Sequence, residues 1–169
     1  MVPAFQKLKV VVVDDNNHMR TLLLSLLYAF GVKSIAAESN GKAGFATVQS
    51  AKPDFVVTDY AMHPVDGVEF VRMIRALHTP LAWVPIIMVT GHNERHYIEQ
   101  ARDSGITEIL TKPVTAQGLY LRIMEVIERP RQFVKAPTFI GPCRRRKTLS
   151  HETIPKRRVS DFEAELEFR

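Results

Sequence analysis

The sequence predicts an α/β protein of the doubly wound kind, with a parallel five-stranded sheet covered on both faces by five helices. Three observations predict it. Short, β-branched apolar runs recur along residues 1–128. Amphipathic segments with helix-start and helix-stop residues separate them. And the residues that close these runs are polar and chemically competent at four of the five runs, where a parallel sheet would place a site.

The elements follow in order. Leu8–Val13 is a continuous apolar run after Lys9, the pattern of a strand buried on both faces. Asn16–Phe30 has helical spacing, with a capping Asn at its start and Gly31 just past its end. Lys33–Ala37 is a shorter strand, and Gly41–Ala51 a helix stopped by Pro53. Phe55–Thr58 is the third strand. Val68–Leu77 is an amphipathic helix ended near Pro80, and Pro85–Val89 is β-branched again. Asn93–Asp103 reads as a polar helix closed by Gly105. Glu108–Thr111 is the last short strand, and the final helix runs from Thr115 to about Glu128. Right-handed crossovers then bring all the strand ends to one edge.

Composition bounds the rest. The chain has 169 residues, enough for one domain and a tail. Met1–Leu8 lacks the pattern of a signal peptide, and Leu22–Val32, the most apolar stretch, is too short to span a bilayer. The expectation is a soluble, cytoplasmic protein. The single cysteine, Cys143, excludes an internal disulfide and a multi-cysteine zinc site. Charge divides the chain near Arg129: residues 1–128 hold 12 Lys/Arg against 13 Asp/Glu, and residues 129–169 hold 11 against 5. The expected organisation is a folded body over 1–128 and a basic, proline-containing extension over 129–169 with no second folded domain.

At the strand ends stand Asp14 and Asp15 after the first strand, Asp59 after the third, Thr90 after the fourth and Lys112 after the fifth. The second strand delivers nothing comparable. Taken singly, each has an ordinary reading. The two aspartates suit a helix cap, Thr90 a strand-end hydroxyl, and Lys112 a solvated ammonium. Together they make a site, because clustered carboxylates need neutralising. A hard divalent cation such as Mg²⁺ does that with carboxylate, carbonyl and water oxygens. With Lys112 as a second positive charge, the set suits an incoming phosphoryl group and a carboxylate nucleophile.

The motifs "VVVDDN", "VVTDYAM", "VDG" at the following turn, "MVTG" and "LTKP" occur in this order over roughly residues 7–128. In this the chain resembles the receiver domains of two-component response regulators, and is similar to the single-domain chemotaxis-type members. The resemblance implies a flavodoxin-like sheet of order 2-1-3-4-5. It implies Asp59 as phosphoacceptor, and Mg²⁺ held by Asp14, Asp15, Asp59 and the backbone carbonyl of Ala61. Thr90 becomes the switch hydroxyl and Lys112 the phosphoryl-oxygen partner, with the Lys112–Pro113 bond often cis. Ala61 and His92 fall at positions that tune phosphoryl lifetime. The implied partners are a sensor histidine kinase or histidine phosphotransfer protein and a downstream protein not identified by the sequence. No DNA-binding domain and no enzymatic activity are expected, apart from the domain's own phosphorylation and dephosphorylation.

Two departures stand out. His63 replaces the family's usual proline, and Pro64 follows it. Ile109 stands where the family commonly places a Tyr or Phe whose ring moves on activation. A phosphorylation-independent scaffold acting through its surface and basic tail is therefore the alternative reading. A phosphohydrolase is disfavoured, because Ala61 stands where such enzymes carry a second Asp.

His92 and His96 are spaced as ligands on a helix, but His-x-Glu-x-His is not the metalloprotease order and no third ligand is evident. In the tail, Arg129–Lys147 carries seven basic residues and no acid, with Phe133, Phe139 and Ile140 interleaved. It reads as a disordered extension, a peptide docking on the body or on a partner protein, or a contact for nucleic acid or anionic membrane. "SDFEAELEF" reads as a short acidic helix able to pair with the basic stretch. "RRVS" and "RRKTLS" resemble sites for basophilic kinases.

Overall fold

The computed structural model describes residues 5–92, 95–143 and 165–167. Five parallel strands, β1 (Lys9–Val13), β2 (Ser34–Glu38), β3 (Phe55–Asp59), β4 (Ile86–Thr90) and β5 (Glu108–Thr111), lie in the order β2-β1-β3-β4-β5. The helices between them are α1 (Asn17–Ala29), α2 (Gly41–Ala51), α3 (Gly67–Arg75), α4 (Arg95–Asp103) and α5 (Ala116–Glu128). Both the fold class and the strand order agree with the expectation.

The run of valines in β1 explains why the sheet is covered on both sides. Alternate residues of a strand face opposite ways. Val10 and Val12 pack with Leu23 and Leu27 of α1 and with Leu119 and Ile123 of α5. Val11 and Val13 pack with Val48 of α2 and with Phe70 and Ile74 of α3. A slip of one residue would exchange the two sets, and because both are apolar it would not be punished by exposure. The register is held instead by shape and by the strand-end chemistry. β1 pairs Val10 with Phe55 and Val13 with Thr58 of β3, which leaves Asp14 and Asp59 at the same edge.

The helix starts are capped by short polar side chains. Asn16, Asn40, Asp66 and Thr115 accept hydrogen bonds from the backbone N–H groups of Met19, Ala43, Glu69 and Gly118. α3 ends at Arg75, earlier than expected, and Pro80 opens a separate 3₁₀ turn, Pro80–Trp83. The expected start of α4 at Asn93 lies outside the described residues. No helix among the described residues is long and apolar enough to cross a membrane.

Beyond α5 the chain does not simply trail away. β6 (Phe133–Ala136) and β7 (Phe139–Pro142) form an antiparallel hairpin, and β8 (Glu165–Glu167) pairs with the other edge of β6. Phe133 is buried, its ring 5.8 Å from that of Trp83 and 5.2 Å from the Arg75 guanidinium. Trp83 therefore packs against the residues after α5. The short acidic helix expected near the C-terminus is a strand over Glu165–Glu167. Its surroundings in the sequence alternate acid and apolar from Asp161 to Phe168, a period of two that suits a strand and not a helix. The basic residues 144–147 and the two kinase-like sites lie outside the described residues.

Candidate phosphoryl-acceptor and metal site

Asp14, Asp15, Asp59, Thr90 and Lys112 stand at the carboxyl edge of the sheet. Asp59 closes β3 and is 3 % exposed, while Asp14, just past β1, is fully buried. Asp15 is exposed. One carboxylate oxygen from each of the three lies within 4.8 Å of the others. Among the described residues, these are the group of acids, histidines and cysteines placed to hold a metal ion, and His92 and His96 belong to no such cluster.

The two buried aspartates are held differently. Asp14 Oδ1 accepts the backbone N–H of Asn16 at 2.8 Å, and Oδ2 has no hydrogen-bond partner. Burial raises the Asp14 pKa to about 6. The Asn16 amide pulls it back, while the charges of Asp59 and Asp15 push it up and that of Lys112 lowers it. Asp59 Oδ1 faces the Lys112 ammonium at 2.8 Å, an ion pair formed without a well-aligned hydrogen bond. Lys112 thus reaches the site across β4, and its own N–H donates to the Thr90 carbonyl at 2.8 Å. The Lys112–Pro113 peptide is cis, and His63–Pro64 is a second cis peptide in the loop after β3. An orphaned, buried carboxylate oxygen beside two further carboxylates is an all-oxygen donor set. It fits a hard divalent cation such as Mg²⁺ and not a softer metal.

Thr90 is buried at the end of β4, and its Oγ1 accepts the backbone N–H of His92 at 2.9 Å. The His92 ring stacks on Tyr97 of α4, with centroids 4.2 Å apart, and meets Tyr60 edge-on at 5.6 Å. Tyr60 also donates from its hydroxyl to Gln100 of α4 at 2.8 Å. Ala61 is exposed in the loop after β3. Ile109 is half-buried and packs against the core on the α3 side of the sheet, so it lies in the fold rather than near the acids.

Residues 10–124 match the response regulator receiver domain family. The chain belongs to that family. It is similar to the chemotaxis protein CheY of Pseudomonas aeruginosa, with 33% identity over 122 residues, 72% of this chain and 98% of the relative. It is also similar to the solved structure of Vibrio cholerae CheY4, with 26% identity and a TM-score of 0.67, covering 71% of this chain and 98% of that one. A further receiver fold with a TM-score of 0.66 and 19% identity is the Borrelia burgdorferi CheY solved as a complex of CheX, CheY, BeF3 and Mg²⁺. It covers 70% of this chain and 88% of that one.

Three residues of this receiver domain were not singled out by sequence reasoning. Arg20 donates from Nη1 to the Asp14 carbonyl at 2.7 Å and to the Asp15 carbonyl at 3.3 Å, and from Nη2 to Asn17 Oδ1. It fastens the loop that carries the acidic pair, and its only signal in the sequence is its place one turn into α1. Tyr60 and Tyr97 clasp His92. Tyr60 directly follows Asp59, a signal that was available but points to no chemistry by itself. Gly67 explains the "VDG" motif: a Cβ there would lie 2.2 Å from the Asp59 carbonyl oxygen, and its N–H donates to the Tyr60 carbonyl. Only glycine lets α3 start this close to the end of β3.

Proposed function

We propose that this receiver domain is a phosphorylation-dependent signalling switch that accepts a phosphoryl group on Asp59 from a sensor histidine kinase or a histidine phosphotransfer protein. The observation that carries the reading is Asp59 itself, a carboxylate 3 % exposed at the end of a buried strand with the Lys112 ammonium at 2.8 Å. A buried acid with a cationic partner and two acids beside it is poorly explained as a cap. An Asp59 oxygen attacks phosphorus, the P–N bond to the donor imidazole breaks, and the imidazole leaves carrying the bonding electron pair. Lys112 Nζ turns from Asp59 Oδ1 to a phosphoryl oxygen. Asp14, Asp15, Asp59 and the Ala61 carbonyl would hold Mg²⁺, which when bound neutralises the phosphoryl oxygens. The Borrelia burgdorferi CheY of the same fold, solved with BeF3 and Mg²⁺, supports that assignment.

The output begins at Thr90. Its hydroxyl donates to the new phosphoryl group, and the bond it now accepts from the His92 N–H is re-aimed. His92 is stacked on Tyr97, so the shift reaches α4 through those rings, a route that does not need an aromatic at Ile109. The altered face then gains or loses a protein partner, consistent with a cytoplasmic signalling protein that is no enzyme beyond its own phosphorylation and dephosphorylation. Ala61 leaves water a path to the acyl phosphate, and His92 stands beside it.

The test is incubation of the purified full chain with Mg²⁺ and acetyl phosphate, read by intact mass. The wild type should gain one base-labile phosphoryl group and Asp59→Asn none. No gain on the wild type, together with no binding of beryllofluoride, would favour the phosphorylation-independent scaffold.

A further inference from the structure

α3 starts beside Asp59 and ends at Arg75, so its last turn lies at the opposite edge of the sheet from the phosphoryl site. A cleft of about 650 Å³ opens there, between that turn, the end of α4 and the β6–β7 hairpin. Arg72, Arg75, Asp103, Lys135, Phe139 and Ile140 are among the residues that line it. The volume suits a small organic molecule rather than a single ion.

Arg75 is 4 % exposed. Its Nε donates to the Gly105 carbonyl and its Nη1 to the carbonyls of Ala82 and Val84, while Nη2 is buried without a partner. No carboxylate among the described residues offsets its charge, and burial lowers its pKa to about 9. A buried cation of this kind costs free energy unless an anion meets it. The three hydrogen bonds make Arg75 a clasp between α3, the Pro80–Trp83 turn and the turn before β5. They do not explain why two more cations stand at the same opening. Arg72 lies three residues before Arg75, on the same face of α3, and Lys135 reaches the opening from β6. Both are exposed, and neither forms an ion pair with another described residue.

The walls of the cleft differ in chemistry. The α3 side is cationic, and the hairpin side offers the apolar surfaces of Phe139 and Ile140. We propose that the cleft is a binding site for a small organic phosphate, its dianionic head held by Arg72 and Lys135 over the buried Arg75 and its apolar body against Phe139 and Ile140. Arg72 and Lys135 supply charge-assisted hydrogen bonds. Arg75 needs no direct contact, because its charge acts through a buried wall where screening is weak. Asp103 is the one acid among the lining residues, against three bases. That balance favours a dianion over a singly charged carboxylate.

The experiment is titration calorimetry of the purified full chain with phenylphosphonate, in a chelator, at mildly alkaline pH and fixed ionic strength. A phosphonate carries the dianionic head but transfers no phosphoryl group, so Asp59 is not modified. Phenylphosphonate should bind at one site with a dissociation constant of about 1 mM or tighter. Arg72→Gln and Lys135→Gln should each weaken binding about ten-fold, the worth of one charge-assisted hydrogen bond. Both residues are exposed, so these variants keep the fold. Methylphosphonate, which lacks the ring, and benzoate, which lacks the second charge, should both bind more weakly. No heat beyond dilution, unchanged affinity in both variants, or equal affinity for the three anions would each overturn the proposal. Thermal melting gives an independent reading. Phenylphosphonate should raise the melting temperature of the wild type and leave that of the double variant, Arg72→Gln with Lys135→Gln, nearly unchanged. An equal rise in both would place the anion elsewhere and overturn the proposal.

Discussion

Asp14 is fully buried, one of its carboxylate oxygens lacks a partner, and its pKa is raised to about 6. The folded state therefore holds a proton that the unfolded chain has already released between pH 4 and 6. A group whose acid form is favoured by folding lowers stability as pH rises through that interval. Without metal, Asp14→Asn should stabilise the protein at pH 7 by about 1–2 kcal/mol, allowing for solvent screening of a full shift worth about 1.4 kcal/mol per pKa unit. The gain should shrink to little by pH 4, where the native carboxyl is already protonated. Urea titrations in a chelator at both pH values check this. Added Mg²⁺ should raise the midpoint of the wild type and leave that of Asp14→Asn nearly unchanged. The carboxylates were legible in the sequence as strand-end acids. Their unequal burial was not, because Asp14 and Asp15 are neighbours and only packing decides which one turns inward.

At the scale of elements, the junction between β3 and α3 is set by one missing side chain. A Cβ on Gly67 would sit 2.2 Å from the backbone carbonyl of Asp59, so the clash cannot be relieved by turning a side chain. Gly67→Ala should cost about 1–3 kcal/mol in stability, the usual penalty of forced overpacking. It should also weaken beryllofluoride binding, since β3 must shift to make room. Chemical denaturation and fluoride-dependent titration separate the two effects, and an unaltered beryllofluoride affinity would mean that α3 moves and β3 does not. The strands and helices were readable because their periods are local. The acidic segment that reads as a short helix is a strand over Glu165–Glu167, because its acids and apolar residues alternate with a period of two.

For the molecule as a whole, identifiable contacts among the described residues join the receiver sheet to the hairpin. Phe133 lies on Trp83 and Arg75, Gly141 on Gly105, and Arg131 donates to the carbonyl of Thr107. Local openings occur where buried apolar contact is least. The hairpin should undock before the sheet unfolds. Trp83 is the one tryptophan of the chain and reports the hairpin directly. Its emission should shift to longer wavelength at a lower urea concentration than the loss of far-ultraviolet circular dichroism. Coincident transitions would show that body and hairpin unfold as one unit.

Sequence alone determined the alternation of strands and helices, the two-sided cover of the sheet and which polar residues end the strands. Those depend on periodicity and on which residue type ends each strand, and both are local properties of the chain. Only the tertiary structure decided that Lys112 pairs with Asp59, that Arg20 fastens the acidic loop, and that Arg75 is sealed beneath the residues after α5. The partners in the first and last of these stand far apart in the chain with no period linking them, and Arg20 acts on backbone carbonyls that leave no mark in the sequence. Arg75 in particular looks like one more polar residue on an amphipathic helix. It is buried because a chain segment more than fifty residues later returns to cover it, and because its hydrogen bonds go to carbonyls that the turns before β4 and β5 leave unsatisfied.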